Sequence, residues 1–90
     1  MDVLKVSSQS KSRALAGAIA GVVRENGRAE LQAIGAAAVN QATKAAAIAR
    51  AFLELDGLDI VLIPTFTQVM IGDQEKTAVR FIVETRHPSV

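Results

Sequence analysis

Ninety residues, half of them apolar, with three phenylalanines as the only aromatics, no cysteine and a formal net charge of +1, describe a single domain with an aliphatic, alanine-based core. That length is near the size where burial only narrowly exceeds chain entropy. The composition excludes a disulfide framework, a thiolate metal site and a thiol nucleophile, and it lacks the aromatics of a base-stacking platform. No basic and apolar leader opens the chain, and no run approaches the roughly 20 apolar residues of a membrane span, so a cytoplasmic protein without membrane contact is expected.

Residues 3–6 read as a short opening strand. The stretch Ser7 to Arg13 breaks the pattern with hydroxyls and two cations, and Ser10 or Ser12 is expected to cap a first helix. That helix runs to about Asn26 and Gly27, an αL-type stop. Leu15, Ile19, Val22 and Val23 form its buried stripe. Its other side carries Gly17 and Gly21, which cost about 1 kcal/mol each relative to alanine, so a close approach to that smooth strip is expected.

Residues 29–34 alternate Ala29, Leu31 and Ala33 with Glu30 and Gln32, the period of a half-buried strand. Gly35 then turns the chain into a second helix over residues 36–55. Ala38, Val39, Ala42, Ala45, Ala46, Ile48, Ala49, Phe52 and Leu53 share one broad arc of it. An arc that wide fits either a well-buried helix within one chain or a helix that also meets a partner subunit. Asp56 and Gly57 end it, where Glu54, Asp56 and Asp59 read as solvated loop charges.

A third strand spans residues 58–66, with Pro64 predicting a sheet edge because proline cannot donate to a ladder. Residues 67–71 lead to a hairpin turn at Gly72 to Glu75, and a fourth strand spans 76–84. Residues from Thr85 onward read as leaving the sheet; the domain is taken as 1–86 and a loose tail as 87–90. The only histidine, His87, lies in that tail and reads as a surface residue. The order βαβαββ predicts a two-layer α+β sandwich, a four-stranded mixed sheet with both helices on one face.

No Ser/His/Asp arrangement, metal-ligand spacing or phosphate-binding glycine loop occurs, so neither an enzyme nor a cofactor is expected. Charge is uneven: residues 1–50 hold seven of the ten Lys and Arg against three acids, and residues 51–90 hold three against six. In the predicted topology both helix N-termini point to one sheet edge, bringing the first loop near Gly35 to Asn40. Helix starts attract phosphate. With Ser8, Ser10, Ser12, Lys11, Arg13, Asn40 and Lys44 nearby, this edge reads either as a phosphate-contacting rim or as ordinary caps with solvated cations.

Taken together, Val3–Ser7, Ala16–Arg24, Ala33–Ala45, Ile48–Arg50 and Ile63–Phe66 resemble the stage V sporulation protein S family over nearly all of residues 2–86. That family is similar in fold to the Alba chromatin proteins. The resemblance implies an Alba-like βαβαββ sandwich, a homodimer or higher homo-oligomer, and a regulatory role in late sporulation. It also implies nucleic-acid binding, to DNA or RNA, at Ser10, Lys11, Arg13, Asn40, Lys44, Lys76 and Arg80. The chain departs from the Alba pattern in having one lysine and one arginine in the first loop, and Ile34 and Ala36 where arginines flank the helix-two glycine. Its hairpin sets Lys76 and Arg80 against Asp73 and Glu75. Fewer phosphate contacts imply weak, sequence-independent and salt-dependent binding. The alternative is a protein–protein adaptor docking through the open sheet face or the Gly17/Gly21 strip.

Overall fold

The computed structural model describes residues 3–86. Its elements are β1 (Val3–Val6), α1 (Ser12–Asn26), β2 (Arg28–Ala33), α2 (Ala36–Glu54), β3 (Asp59–Ile71) and β4 (Gln74–Arg86). They form one four-stranded sheet in the order β1-β2-β4-β3 with both helices packed against it, the expected Alba-like α+β sandwich. β1 and β2 are parallel, and β4 runs antiparallel to both β2 and β3.

β2 buries Ala29, Leu31 and Ala33 and leaves Arg28, Glu30 and Gln32 half-buried on the opposite face, as the alternation predicts. α1 turns Ala16, Ile19, Ala20 and Val23 inward, with Leu15 and Val22 flanking them. α2 answers with Ala38, Ala42, Ala45, Ala49 and Leu53. Spacings of four, three, four and four keep these residues on one face. Because four of the five are alanines, bulk in the core falls to Ile19, Leu31, Leu53, Val23 and Val83, the largest fully buried side chains. Gly27, at φ 76, stops α1 as expected and donates its N–H to the Val23 carbonyl at 2.8 Å. Gly17 and Gly21 are exposed, and a Cβ on either would meet nothing within 4 Å, so nothing else in the described chain covers that strip.

Three expectations need correction. Neither Ser10 nor Ser12 caps α1: the Ser10 hydroxyl is used inside the loop, and Lys11 occupies the N-cap, where its ammonium has no acceptor to offer a helix N–H. The hairpin is longer than its hydropathy implied: β3 is one strand of 13 residues and the turn is only Gly72 and Asp73. Gly72 has φ 61 and Asp73 a negative φ, the combination of a two-residue II′ turn. Thr85 and Arg86 belong to β4, held opposite Ile60 and Asp59. His87 and the tail expected at 87–90 lie outside the described residues.

Pro64 sits opposite Phe81 in edge strand β3. Counting back from the hydrogen-bonded pair that closes a two-residue hairpin, even-numbered β3 residues turn their backbone N–H outward. Proline there costs no ladder bond and removes a donor from the middle of a long free edge, which discourages edge-to-edge pairing.

Three ion pairs tie the lower end together and disperse the acidic group expected at Glu54, Asp56 and Asp59. Arg24 of α1 binds Asp56 at 2.6 Å. Asp59 accepts from Arg50 of α2 at 2.7 Å, from Arg86 of β4 at 2.8 Å and from the Ile60 N–H at 2.9 Å. These hydrogen bonds, that from Arg50 foremost, hold the Asp59 carboxyl well below the usual carboxylate range. A depressed folded-state pKa adds stability that is fully present above the unfolded value, about 3.9 for aspartate, and is lost as pH falls toward the folded value. Thermal melts of the wild type and Asp59→Asn should therefore differ at neutral pH and converge progressively below about pH 4. A gap that persists unchanged to strongly acid pH would show that the carboxylate charge is not what the network uses.

Candidate nucleic-acid interface

The first loop is rigidified by its own hydroxyls. Ser7 donates its N–H to Ser10 Oγ at 2.9 Å, Gln9 donates its N–H to Ser7 Oγ at 3.1 Å, and Ser10 donates its N–H to the Ser7 carbonyl at 3.1 Å. Such serine-to-backbone bonds replace a longer ladder and fix a tight turn. The loop is then pinned to α2, whose Gln41 donates Nε2 to the Ser10 carbonyl at 2.6 Å. The first loop thus lies beside the start of α2, as the topology predicted, and Lys11 projects from it to solvent.

Both helix starts carry unscreened backbone donors. α1 and α2 each lack a side-chain cap and have no acidic residue in the first turn. Gly35, the N-cap of α2, has no side chain to offer. The first N–H groups of each helix therefore meet solvent with their positive dipole end intact. A cleft of about 600 Å3 opens beside the start of α2, walled by Ser7 and Ser8 of the first loop, by Gly35 to Ala38, by Lys5 and Gln32 at the sheet, and by Val69, Met70 and Ile71 of the hairpin.

The expected contact residues divide into three groups. Lys11, Arg13 and Asn40 are exposed at or beside the helix starts, and Lys44 is exposed one turn beyond Asn40, more than two turns into α2. Ser10 is half-buried and spends its oxygens inside the protein, so it shapes the loop. Lys76 is exposed on the hairpin. Arg80 does not belong to the projecting arm: β2 pairs with β4 as far as Val79, which places Arg80 in the body of the sheet opposite Gln32. There its Nε lies 3.7 Å from Glu30, whose other oxygen takes Arg28 at 2.7 Å. The sequence reading missed Lys5, which lines the cleft; its place at the third position of a four-residue strand signalled an outward side chain, but not what it would face.

Hydrophobic surface gathers on the other side of the hairpin. Phe66 is 77% exposed, and a groove of about 530 Å3 runs between it and α2, lined by Val39, Thr43, Pro64, Val79 and Phe81. Among the described residues no three His, Cys, Asp or Glu side chains come together as a metal site. No helix among them is long and apolar enough to cross a membrane.

A two-layer sandwich of this strand order defines the class: a small α+β domain of Alba-like fold. The chain belongs to the stage V sporulation protein S (SpoVS) family, whose family model matches residues 2–86. It is thus a small sporulation-type protein.

Proposed function

We propose that the protein is a non-catalytic nucleic-acid-binding regulator or architectural factor of the cytoplasm, contacting the phosphates of DNA or RNA from the edge formed by the first loop and the two helix starts. The observation that carries this reading is the pairing of two uncapped, acid-free helix N-termini with exposed Lys11, at the end of a loop pinned to α2, and exposed Arg13 in the first turn of α1. Backbone donors and cations of this kind position a polyanion without reading its bases. Self-association fits the same reading: the groove beside Phe66 offers apolar surface that a second copy would cover, doubling the number of loops presented to a duplex.

The test is fluorescence anisotropy with labelled duplex DNA and duplex RNA at low and moderate salt, alongside sedimentation velocity. Wild-type protein should bind at low salt, weaken steeply as salt rises, and sediment as more than a monomer. Replacing Lys11 and Arg13 together by glutamate should weaken binding at least about tenfold and flatten the salt dependence, since each lost phosphate contact removes about 0.9 from the log–log slope. Absence of binding at low salt, or binding indifferent to that double substitution, would count against the reading.

A further inference from the structure

On the sheet face away from the helices, strand register sets four side chains in one row: Lys5 of β1, Gln32 of β2, Arg80 of β4 and Thr65 of β3. Successive rows of this face sort by charge. Toward the hairpin tip come Ala78 with Thr67 and then Lys76 with Val69, and none of these rows contains a carboxylate. In the opposite direction come Glu30 with Ile82 and Ile63, then Arg28 with Glu84 and Val61. The carboxylates Glu30 and Glu84 therefore lie in the rows nearer Arg28, whereas Lys5, Arg80 and Lys76 hold the other half unopposed within their own rows.

Arg80 is only loosely engaged. Its Nε is buried and has no hydrogen-bond partner among the described residues, Glu30 stands off at 3.7 Å, and the side chain is 40% exposed. Lys5 is exposed and shares the wall of the cleft with Ser7 and Ser8, so this half-face runs into the first loop without a break. Two strand spacings separate Lys5 from Arg80 and four residues separate Arg80 from Lys76, a patch of roughly 10 by 13 Å. Along the direction from Lys5 to Arg80, at a rise of about 3.4 Å per nucleotide of one strand, that is room for about three nucleotides.

Resting on the nucleic-acid reading above, we infer that this half of the open sheet face is a phosphate track: the backbone of the bound nucleic acid passes from Lys11 across Lys5 to Arg80. Charge complementarity selects that occupant, since the half-face offers cations, amide and hydroxyls. It offers no aromatic ring for a base, because Phe66 and Phe81 lie on the helix side of their strands. The hairpin tip is a poorer route, for Asp73 and Glu75 outnumber Lys76 there.

The deciding experiment adds Lys5→Gln and Arg80→Gln, with Lys11→Gln as the loop reference, to anisotropy titrations against labelled duplex DNA and duplex RNA. Each face variant should bind about three- to tenfold more weakly at low salt and lower the log–log salt slope by about 0.9. Lys5 is exposed, so its variant should keep the wild-type melting temperature and remain informative even if Arg80→Gln folds poorly. If Lys11→Gln weakens binding while both face variants match the wild type, the track is wrong and the loop interface stands. If the wild type binds neither probe at low salt, both readings fall together. A changed sedimenting mass for Lys5→Gln would make the face a contact between copies and overturn the inference.

Discussion

Leu31→Ala should cost about 2–5 kcal/mol of folding stability, a large part of the total for a domain of this size. Leu31 is fully buried at the centre of β2, paired with Leu4 on one side and Phe81 on the other. In a core with ample large side chains, neighbours could relax into part of the space. Here the facing helices present mainly alanine, already drawn in to backbone range, so little bulk is available to fill the hole. Urea unfolding followed by circular dichroism should show the midpoint falling sharply with the slope unchanged. Leu55→Ala serves as the contrast, because Leu55 is 89% exposed and the same change there should move stability by less than about 0.5 kcal/mol. A Leu31→Ala protein that unfolded like the wild type would mean that the alanine layer is looser than it is drawn.

That reliance on few large residues explains which parts of the fold were legible. Where a residue's environment is decided by its neighbours in sequence, reading succeeds: the alternation of Ala29, Leu31 and Ala33, the apolar arc of α2 and the stop at Gly27 are local patterns with local causes. Pro64 was legible because one missing N–H restricts it to an edge wherever the other strands lie. Reading failed where partners come from far along the chain. Val69, Met70 and Ile71 extend β3 well past the end of β2, with Met70 and Ile71 more than half exposed, so no burial pattern marks them as strand. Asp59 is defined by Arg50 of α2 and Arg86 of β4, and Arg80 by Gln32 and Glu30 of β2, about fifty residues away in sequence. The row that joins Lys5 to Arg80 exists only in the strand register, which no single segment encodes.

Gly35→Ala should destabilise the domain by about 1–3 kcal/mol although the added methyl has room. Gly35 stands at φ 89 and ψ 159, a backbone region essentially closed to other residues, and a Cβ there would meet nothing within 4 Å. The whole penalty is therefore conformational. It falls on the corner where β2 hands over to α2, whose first helical bond runs from the Val39 N–H to the Gly35 carbonyl at 3.0 Å. Gly17 supplies the opposite case: it is helical, exposed and equally unhindered, so Gly17→Ala should stabilise by up to about 1 kcal/mol. Two identical chemical changes of opposite sign separate backbone strain from packing, and melting temperatures read the difference directly. The corner also sets where the first N–H groups of α2 point, since Ala36, Ala37 and Ala38 wall the cleft beside Ser7 and Ser8. Below its melting temperature, Gly35→Ala should accordingly bind nucleic acid more weakly than the wild type, and Gly17→Ala should bind equally well. Equal binding by all three proteins would remove the start of α2 from the interface while leaving the cations of the loop and sheet in place.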